Sequence, residues 1–313
     1  MKQIFRLTLL ATISFLVGCD SDNKSHPLNP PTDIKAIAYT STDGQIVTPA
    51  NPNGFGARIL SNTYTNSSGT ISFGSAVTAI GERAFWQCTT LQSIILPARI
   101  RAIDDSAFSG CTSLSEIAIP SSVTTIGNGA FSYCDNLSAF YGNSATLDNR
   151  CLVIGSTIKA FAPAGLTTYS VFDGITEIDG SAFEGADNII GISLPSTITR
   201  IDERAFAYCL GLTSITIPSG ITEITPSTFE GCSALNSVIL PATITEIDTA
   251  AFSGCNALQS IYCAATTPPR IALGTFDDIA NNATIYVPTS AVATYKSASG
   301  WSTYADLITG YDF

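Results

Sequence analysis

Histidine and basic residues are scarce in this sequence. Its 313 residues include one histidine, His26, and 14 lysines and arginines against 25 acidic residues. Because imidazole serves most acid–base catalysis near neutral pH and many metal sites, a lone histidine near the N-terminus excludes most such chemistry from the folded body. The net charge of −11 excludes nucleic acid and anionic lipid as partners, since like charges repel. Charged residues make up only 12% and hydrophobic residues 45%, so a long continuous core is possible.

One template recurs every 23 residues. Each copy contains an Ala-Phe or Thr-Phe pair and a strand motif of the type Leu-x-x-Ile-x-Leu. In most copies a cysteine follows three residues after the phenylalanine. The phenylalanines in register are Phe85, Phe108, Phe131, Phe183, Phe206, Phe229 and Phe252. A fixed period of this length predicts a leucine-rich-repeat solenoid, in which each unit packs only on its neighbours.

Within one unit the pattern predicts two apolar edges joined by a short helical turn. Leu212, Ile215 and Ile217 alternate inward, and Pro218 ends the strand because it lacks a backbone donor. The parallel strands are expected on the concave face, with helical turns opposite. Residues of N-cap type open these turns: Asp104, Asp179, Asp202 and Asp248, with Gly81, Gly127 and Thr225 in the same position.

The strand motifs divide the chain into segments. Residues 34–76 fall outside the period and predict a β-hairpin N-terminal cap, 77–288 predict the solenoid, and 289–313 predict a helical C-terminal cap that covers the last coil with Trp301 and Leu307. One unit, 137–165, is 29 residues long. There Cys151–Phe161 predicts a hairpin around Gly155-Ser156 that bulges without breaking the stack.

The N-terminal residues predict that the protein is exported. Residues 1–18 combine Lys2 and Arg6 with an apolar run from Leu7 to Val17 that is too short to span a bilayer, which predicts a signal peptide. The run ends in Leu-Val-Gly-Cys19, which resembles the bacterial lipobox and implies lipidation of Cys19. Residues 19–33 predict a flexible tether. An ordinary signal peptide with a chance cysteine is the alternative.

The repeat also resembles a known family. The pattern Ile-Thr-x-Ile-x-x-x-Ala-Phe-x-x-Cys-x-x-Leu-x-x-Ile-x-Ile-Pro is similar to the BspA-type leucine-rich repeat of bacterial surface proteins, over about residues 77–288. The ending around Tyr286, Tyr295 and Trp301 resembles the family's C-terminal cap. The resemblance implies a cell-surface binding protein without shared catalytic residues.

The regular cysteines and acids have structural interpretations. A run of three equivalent cysteines leaves one over, and Ala186 fills the same slot, so buried thiols are favoured over disulfides. With no histidine partner they form no zinc site. The aspartates at the turns predict caps rather than catalytic or calcium sites. A surface ladder of weak ion pairs is predicted for Glu177, Arg200, Glu223 and Glu246.

The outward strand positions hold the candidate binding residues. They become large toward the C-terminal end, where Ile239, Tyr262 and Tyr286 follow one another, and Tyr141 lies in the same row further upstream. Tyrosine provides contact area at low entropic cost, so these residues predict a docking patch. Ordinary β-propensity on an exposed sheet is the alternative explanation.

The sequence therefore predicts a non-enzymatic outer-membrane lipoprotein, exposed at the cell surface, that binds host or microbial surface proteins. No cofactor, metal or nucleic acid is expected, and membrane contact is expected through the lipid anchor only. A periplasm-facing structural or assembly factor of the envelope, or a glycan-binding surface protein, remains an alternative.

Overall fold

A computed structural model describes residues 34–313. The predictions of a signal peptide, of lipidation at Cys19 and of a tether up to residue 33 lie outside the described residues. The chain winds through about ten coils, and most coils add one strand to a principal row and a short strand to a second row.

Strands are numbered in chain order. The first region contains β1 (Ala36–Ser41), β2 (Ile59–Thr65) and β3 (Ser68–Phe73). The principal row contains β5 (Leu91–Ile95), β7 (Glu116–Ala118), β9 (Ala139–Tyr141), β12 (Thr168–Ser170), β14 (Gly191–Ser193), β16 (Ser214–Thr216), β18 (Ser237–Leu240), β20 (Ser260–Cys263), β22 (Thr284–Pro288) and β23 (Ile308–Tyr311). The second row contains β4 (Ala79–Ile80), β6 (Ala102–Ile103), β8 (Thr125–Ile126), β10 (Cys151–Ile154), β11 (Thr157–Phe161), β13 (Glu177–Ile178), β15 (Arg200–Ile201), β17 (Glu223–Ile224), β19 (Glu246–Ile247) and β21 (Arg270–Ile271). Helices follow at Thr289–Ala291 (3₁₀), α1 (Val292–Ser297) and Trp301–Leu307 (3₁₀).

Parallel, in-register stacking confirms the predicted leucine-rich-repeat solenoid. Seven strands, from β12 to β23, form one sheet in which successive strands of the principal row pair in parallel. The repeat phenylalanines lie in the core and stack ring on ring. The centroids of Phe206 and Phe229 are 5.5 Å apart with the rings 3° from parallel, and those of Phe229 and Phe252 are 5.3 Å apart.

The predicted helical turns are wrong: within residues 34–313 helices occur only between 289 and 307. Each turn instead contains a residue with positive φ, such as Ser106 (55°), which a right-handed helix does not allow. The Ala107 N–H bonds to the Asp104 carbonyl across this β-turn, and the Phe108 N–H bonds to the Ala130 carbonyl of the next coil. Neighbouring coils therefore satisfy the backbone groups that a helix would satisfy internally.

The repeat cysteines are free thiols, as predicted, and all of them except the partly buried Cys88 lie in the core. They also bond between coils, which the spacing alone did not indicate. The Cys111 Sγ lies 3.1 Å from the Phe85 carbonyl oxygen of the preceding coil, and the Cys232 Sγ lies 3.1 Å from that of Phe206. The same contact recurs at Cys134, Cys209 and Cys255. Each of these thiols therefore donates a hydrogen bond to a buried backbone carbonyl of the preceding coil.

The long unit forms the predicted hairpin, in which β10 and β11 pair in antiparallel fashion. The expectation that the stack continues unbroken is wrong for the sheets. The principal row is interrupted between β9 and β12, and the second row between β8 and β10. Further breaks lie between β5 and β7 and between β15 and β17. The apolar core divides into two clusters at the long unit. The hairpin replaces the Ala-Phe turn of its coil, and its strand β11 still pairs in parallel with β13 of the next coil.

A polar clamp joins the coils on either side of this interruption. The Arg204 guanidinium bonds to Glu184 and, at 2.9 Å, to Glu230. The Tyr133 hydroxyl donates to Glu184 at 3.1 Å, and the Tyr208 hydroxyl donates to Glu230 at 3.0 Å. Tyr133 belongs to the coil before the long unit and the others to coils after it. The clamp therefore links two parts that the principal sheet does not.

Both ends of the stack carry distinct structures. The predicted hairpin around Asn66-Ser67 is present as β2 and β3, while the segment 45–47 forms no strand. Strand β1 pairs antiparallel with β5 and covers the first coil. At the other end α1 packs below the last coil, and Trp301 is fully buried with its Nε1 donating to the Pro269 carbonyl at 2.7 Å. Strand β23, which the sequence reading missed, then extends the principal sheet.

Truncation of one stacked ring tests the phenylalanine ladder. Phe206 is buried between two rings, so F206A should lower the free energy of unfolding by about 3–5 kcal/mol through lost contacts and a residual cavity. F172A is the matched control because Phe172 is 45% exposed, and we expect a change within about 0.5 kcal/mol. Urea unfolding followed by circular dichroism measures both. Equal effects would show that the ladder does not stabilise the stack.

Alkaline pH tests the buried thiols. Burial raises the pKa of Cys134 and of Cys151 from the ordinary 9.0 to about 12, so the unfolded chain ionises first. The contribution of these two thiols to the free energy of unfolding should be constant below about pH 8 and fall between pH 9 and 12. C134A removes one such group and should flatten this decline, because alanine already fills the slot at Ala186. A stability that stays constant across that range would contradict the prediction.

Candidate binding face

The outward side of the principal row is exposed and nearly free of charge. Each of its strands from β5 to β22 directs alternate side chains away from the core, and none of these outward residues is buried. In this described row Glu116 on β7 is the one outward residue with a charge at neutral pH. This is unusual for a chain with a net charge of −11, and it makes the row distinct from the rest of the surface.

Three of the four predicted patch residues lie together. The pairing of β18, β20 and β22 puts Ile239, Tyr262 and Tyr286 side by side at one level of the sheet. The rings of Tyr262 and Tyr286 stack with centroids 4.5 Å apart and 10° between their planes. Ile239 is 42% exposed beside them. In-register stacking therefore turns a sequence spacing into a continuous apolar ridge.

Two further aromatic residues extend this ridge. Tyr311 of β23 packs edge-on against both tyrosines, with centroids 5.2 Å from Tyr262 and 5.7 Å from Tyr286. Phe313 packs against Tyr311 at 5.0 Å. These two side chains are 43% and 54% exposed. We call Ile239, Tyr262, Tyr286, Tyr311 and Phe313 the aromatic cluster.

Sequence reasoning missed the last two because it assigned the whole C-terminal segment to a helical cap. The available signal was the strand-forming composition of Ile308–Tyr311, in which isoleucine, threonine and tyrosine surround one glycine. That stretch is four residues long and lies outside the 23-residue period, so only its pairing with β22 identifies it as a strand.

Tyr141 is not part of the aromatic cluster. It lies on β9, within the long unit and in a different sheet, and four strands separate it from β20. Its hydroxyl donates to Glu116 at 3.3 Å, and burial together with that carboxylate raises its pKa. The structure therefore divides the four predicted residues into a group of three and a separate tyrosine.

A trough of small residues adjoins the cluster. Strands β12, β14 and β16 present hydroxyl groups and a glycine, and the depression above them has a volume of about 550 Å³. The outward residues that line it are Thr168, Ser170, Gly191, Ser193, Ser214 and Thr216. Such a volume is within the range of ligand clefts, although the trough is open to solvent. The outward side chains of this face are thus small on β12, β14 and β16 and large on β18, β20 and β22.

The carboxylates of the second row show no arrangement for catalysis. Glu177 is in register with Arg200, and Glu223 with Glu246, but Arg200 forms its ion pair with Asp202 rather than with a residue of the predicted ladder. Carboxylate oxygens of Glu223, Glu246 and Asp248 lie within 4.8 Å of one another, the one trio of possible metal ligands in the part of the chain that the structure describes. Arg270 forms an ion pair with Glu246 and so neutralises part of that charge.

Known proteins share the fold of this chain. A family model described as the BspA type leucine rich repeat region matches residues 52–152 and 154–289 in six copies, which together are more than half of the chain. No curated protein matches the sequence.

Several solved bacterial structures are similar. A leucine rich cell surface protein from Faecalibacterium prausnitzii A2-165 has 29% identity and a TM-score of 0.49, and the match covers 59% of this chain and 57% of that one. The pneumococcal vaccine antigen PcpA has 16% identity and a TM-score of 0.50, over 70% of this chain and 67% of that one. A Treponema pallidum leucine rich repeat protein has 24% identity and a TM-score of 0.36, over 59% and 77%. The chain thus spans little more than half of the first of these proteins, and the likeness to PcpA supports the fold alone.

Proposed function

Because the chain belongs to the BspA-type leucine-rich-repeat family, we propose that it is a lipid-anchored cell-surface protein that binds proteins of a host or of neighbouring cells. Members of this class are typically interaction modules without catalysis. We assign this chain the same non-enzymatic role, with no cofactor or metal. Its single histidine, His26, precedes the solenoid, so the usual proton carrier of enzyme sites is absent from residues 34–313.

The aromatic cluster is the observation that carries the proposal. Large apolar patches are uncommon on monomeric soluble proteins, and exposed ones often mark contact sites. Here four aromatic rings pack against one another beside Ile239; Ile239, Tyr311 and Phe313 are exposed to solvent, and Tyr262 and Tyr286 are partly exposed. Tyrosine is enriched at such contact sites because its rigid ring provides both apolar area and a hydroxyl group.

The sheet beneath the cluster is already ordered before binding. Ile239, Tyr262 and Tyr286 stand on adjacent strands of the seven-stranded sheet, and their inward neighbours Val238, Ile261 and Ile285 are fully buried. A partner therefore meets side chains that neighbouring rings already restrain. Preorganisation of this kind lowers the entropic cost of association.

The location of the protein is part of the same proposal. The run from Leu7 to Val17 and the lipobox-like Cys19 support export and an outer-membrane anchor, with the solenoid facing outward. Between residues 34 and 313 no helix is both long and apolar enough to cross a bilayer. In the alternative, the same anchor would hold a periplasm-facing envelope factor, and the stack would face inward.

Loss of the cluster should abolish binding. The variant I239S/Y262S/Y286S removes the ridge from outward positions that are not buried, so we expect capture of host extracellular-matrix proteins to fall at least tenfold. W86S is the matched control because Trp86 is also exposed, at 42%, but lies in a turn away from the face. Quantitative pull-down measures capture. Unchanged capture by the triple variant would rule out this patch, and binding on a glycan array instead would support the glycan alternative.

Cysteine replacement and protease treatment test the anchor and its orientation. C19S should abolish incorporation of labelled palmitate and release the chain from the membrane fraction, because a lipidated cysteine is the only anchor proposed. Protease added to intact cells should remove the wild-type protein. Complete protection, with an unbroken outer membrane, would instead favour the envelope factor.

A further inference from the structure

One half of the candidate binding face is complementary in side-chain size to the other half. Its outward residues at one level of the sheet are small on β12, β14 and β16 and large on β18, β20 and β22. In strand order this level consists of Ser170, Ser193, Thr216, Ile239, Tyr262 and Tyr286. The border between the small half and the large half lies between Thr216 and Ile239, which are direct neighbours on paired strands. Three positions with small side chains thus adjoin three positions with large side chains.

We propose that the partner of this face is a second copy of the same chain, an inference that rests on the proposed function. A two-fold axis parallel to the strands, between β16 and β18, brings two such faces together. This rotation reverses the strand order and keeps the level along the strands, so each ridge enters the opposite trough. Such an interface is isologous, because each contact occurs twice. The resulting pairs are Tyr286 with Ser170, Tyr262 with Ser193, and Ile239 with Thr216.

Charge favours this pairing over other contacts between copies. Each copy has a net charge of −11, so two copies repel over most of their surfaces. The outward residues of β12, β14, β16, β18, β20 and β22 carry no charge. Glu116 lies on β7, beyond the strands that meet, because its symmetry-related position falls past β23. The uncharged face is therefore where two acidic molecules approach at the lowest electrostatic cost.

The size of the contact predicts a weak pair and strong multivalent adhesion. Six strands at about 4.8 Å span about 29 Å, which places the contact at the low end of specific interfaces. The trough of about 550 Å³ receives the tyrosine rings, and their hydroxyls reach the serine and threonine hydroxyls that line it. Copies anchored on two facing cells would form many such contacts at once, and their combined strength exceeds that of one pair.

Charge-neutral replacements on either half test the pairing. The full chain carrying C19S, which leaves residues 34–313 unchanged, is examined by analytical ultracentrifugation. We expect a concentration-dependent monomer–dimer equilibrium. Y262S leaves two gaps in the symmetric pair and S193Y causes two clashes, so each should raise the dimer Kd at least tenfold. W86S should leave the Kd unchanged. Circular dichroism confirms that each variant is folded, which is expected because the replaced residues are not buried.

A swap of the two residues separates symmetric pairing from general stickiness. In the double variant S193Y/Y262S each tyrosine faces a serine again, so the dimer should return to within about threefold of the starting Kd. An equimolar mixture of Y262S and S193Y should form a heterodimer for the same reason. Dimerisation that fails to return in both cases would overturn the proposed arrangement.

The outcomes also separate this inference from the proposed function. A chain that sediments as a monomer at every concentration overturns pairing between copies. If I239S/Y262S/Y286S still loses capture of a different protein in that case, the face remains a binding surface for another partner. If neither association depends on these residues, both proposals are wrong.

Discussion

Every feature of this molecule depends on the in-register stacking of successive coils. Parallel strands place equivalent backbones about 4.8 Å apart, which is also a distance at which aromatic rings stack. Phe206 and Phe229 show the result inside, with centroids 5.5 Å apart, and Tyr262 and Tyr286 show it outside, at 4.5 Å. The same constraint brings each repeat thiol to a carbonyl of the preceding coil, as at Cys232 and Phe206. One spacing therefore organises the core, the turns and the surface.

The same stacking explains how a binding face arises without a cleft. A core position must remain apolar in every coil, so the inward residues hardly vary, whereas an outward position is constrained only by its sheet neighbours. Thr216 and Ile239 occupy equivalent positions and differ in size, and a step in the surface results. In the function that we propose, recognition depends on such differences between equivalent residues, and affinity comes from preorganised area rather than from reactive groups.

The long unit shows how the stack tolerates an exception. Both rows of strands are interrupted beside the hairpin of β10 and β11, yet the coils on either side remain joined through Arg204, Glu184 and Tyr133. Partly buried ion pairs with hydrogen-bonding partners hold their geometry better than exposed ones. The clamp lies on the turn edge, away from the binding face. The sheet from β12 onward therefore remains a uniform platform for the aromatic cluster.

Periodicity in the sequence determined the solenoid, the buried phenylalanines, the free thiols and the hairpin of the long unit, because each depends on contacts that repeat from one coil to the next. Tertiary structure alone decided what does not repeat. The turns became β-turns rather than helices because neighbouring coils bond to their backbone, which no single unit reveals. Tyr311 and Phe313 joined the cluster because β23 pairs with β22, and Tyr141 was separated from it because β9 lies across the interruption. A repeated motif predicts which residues pack against it in the adjacent coils. The structure of a chain end or of an irregular unit depends instead on the elements that pack against it.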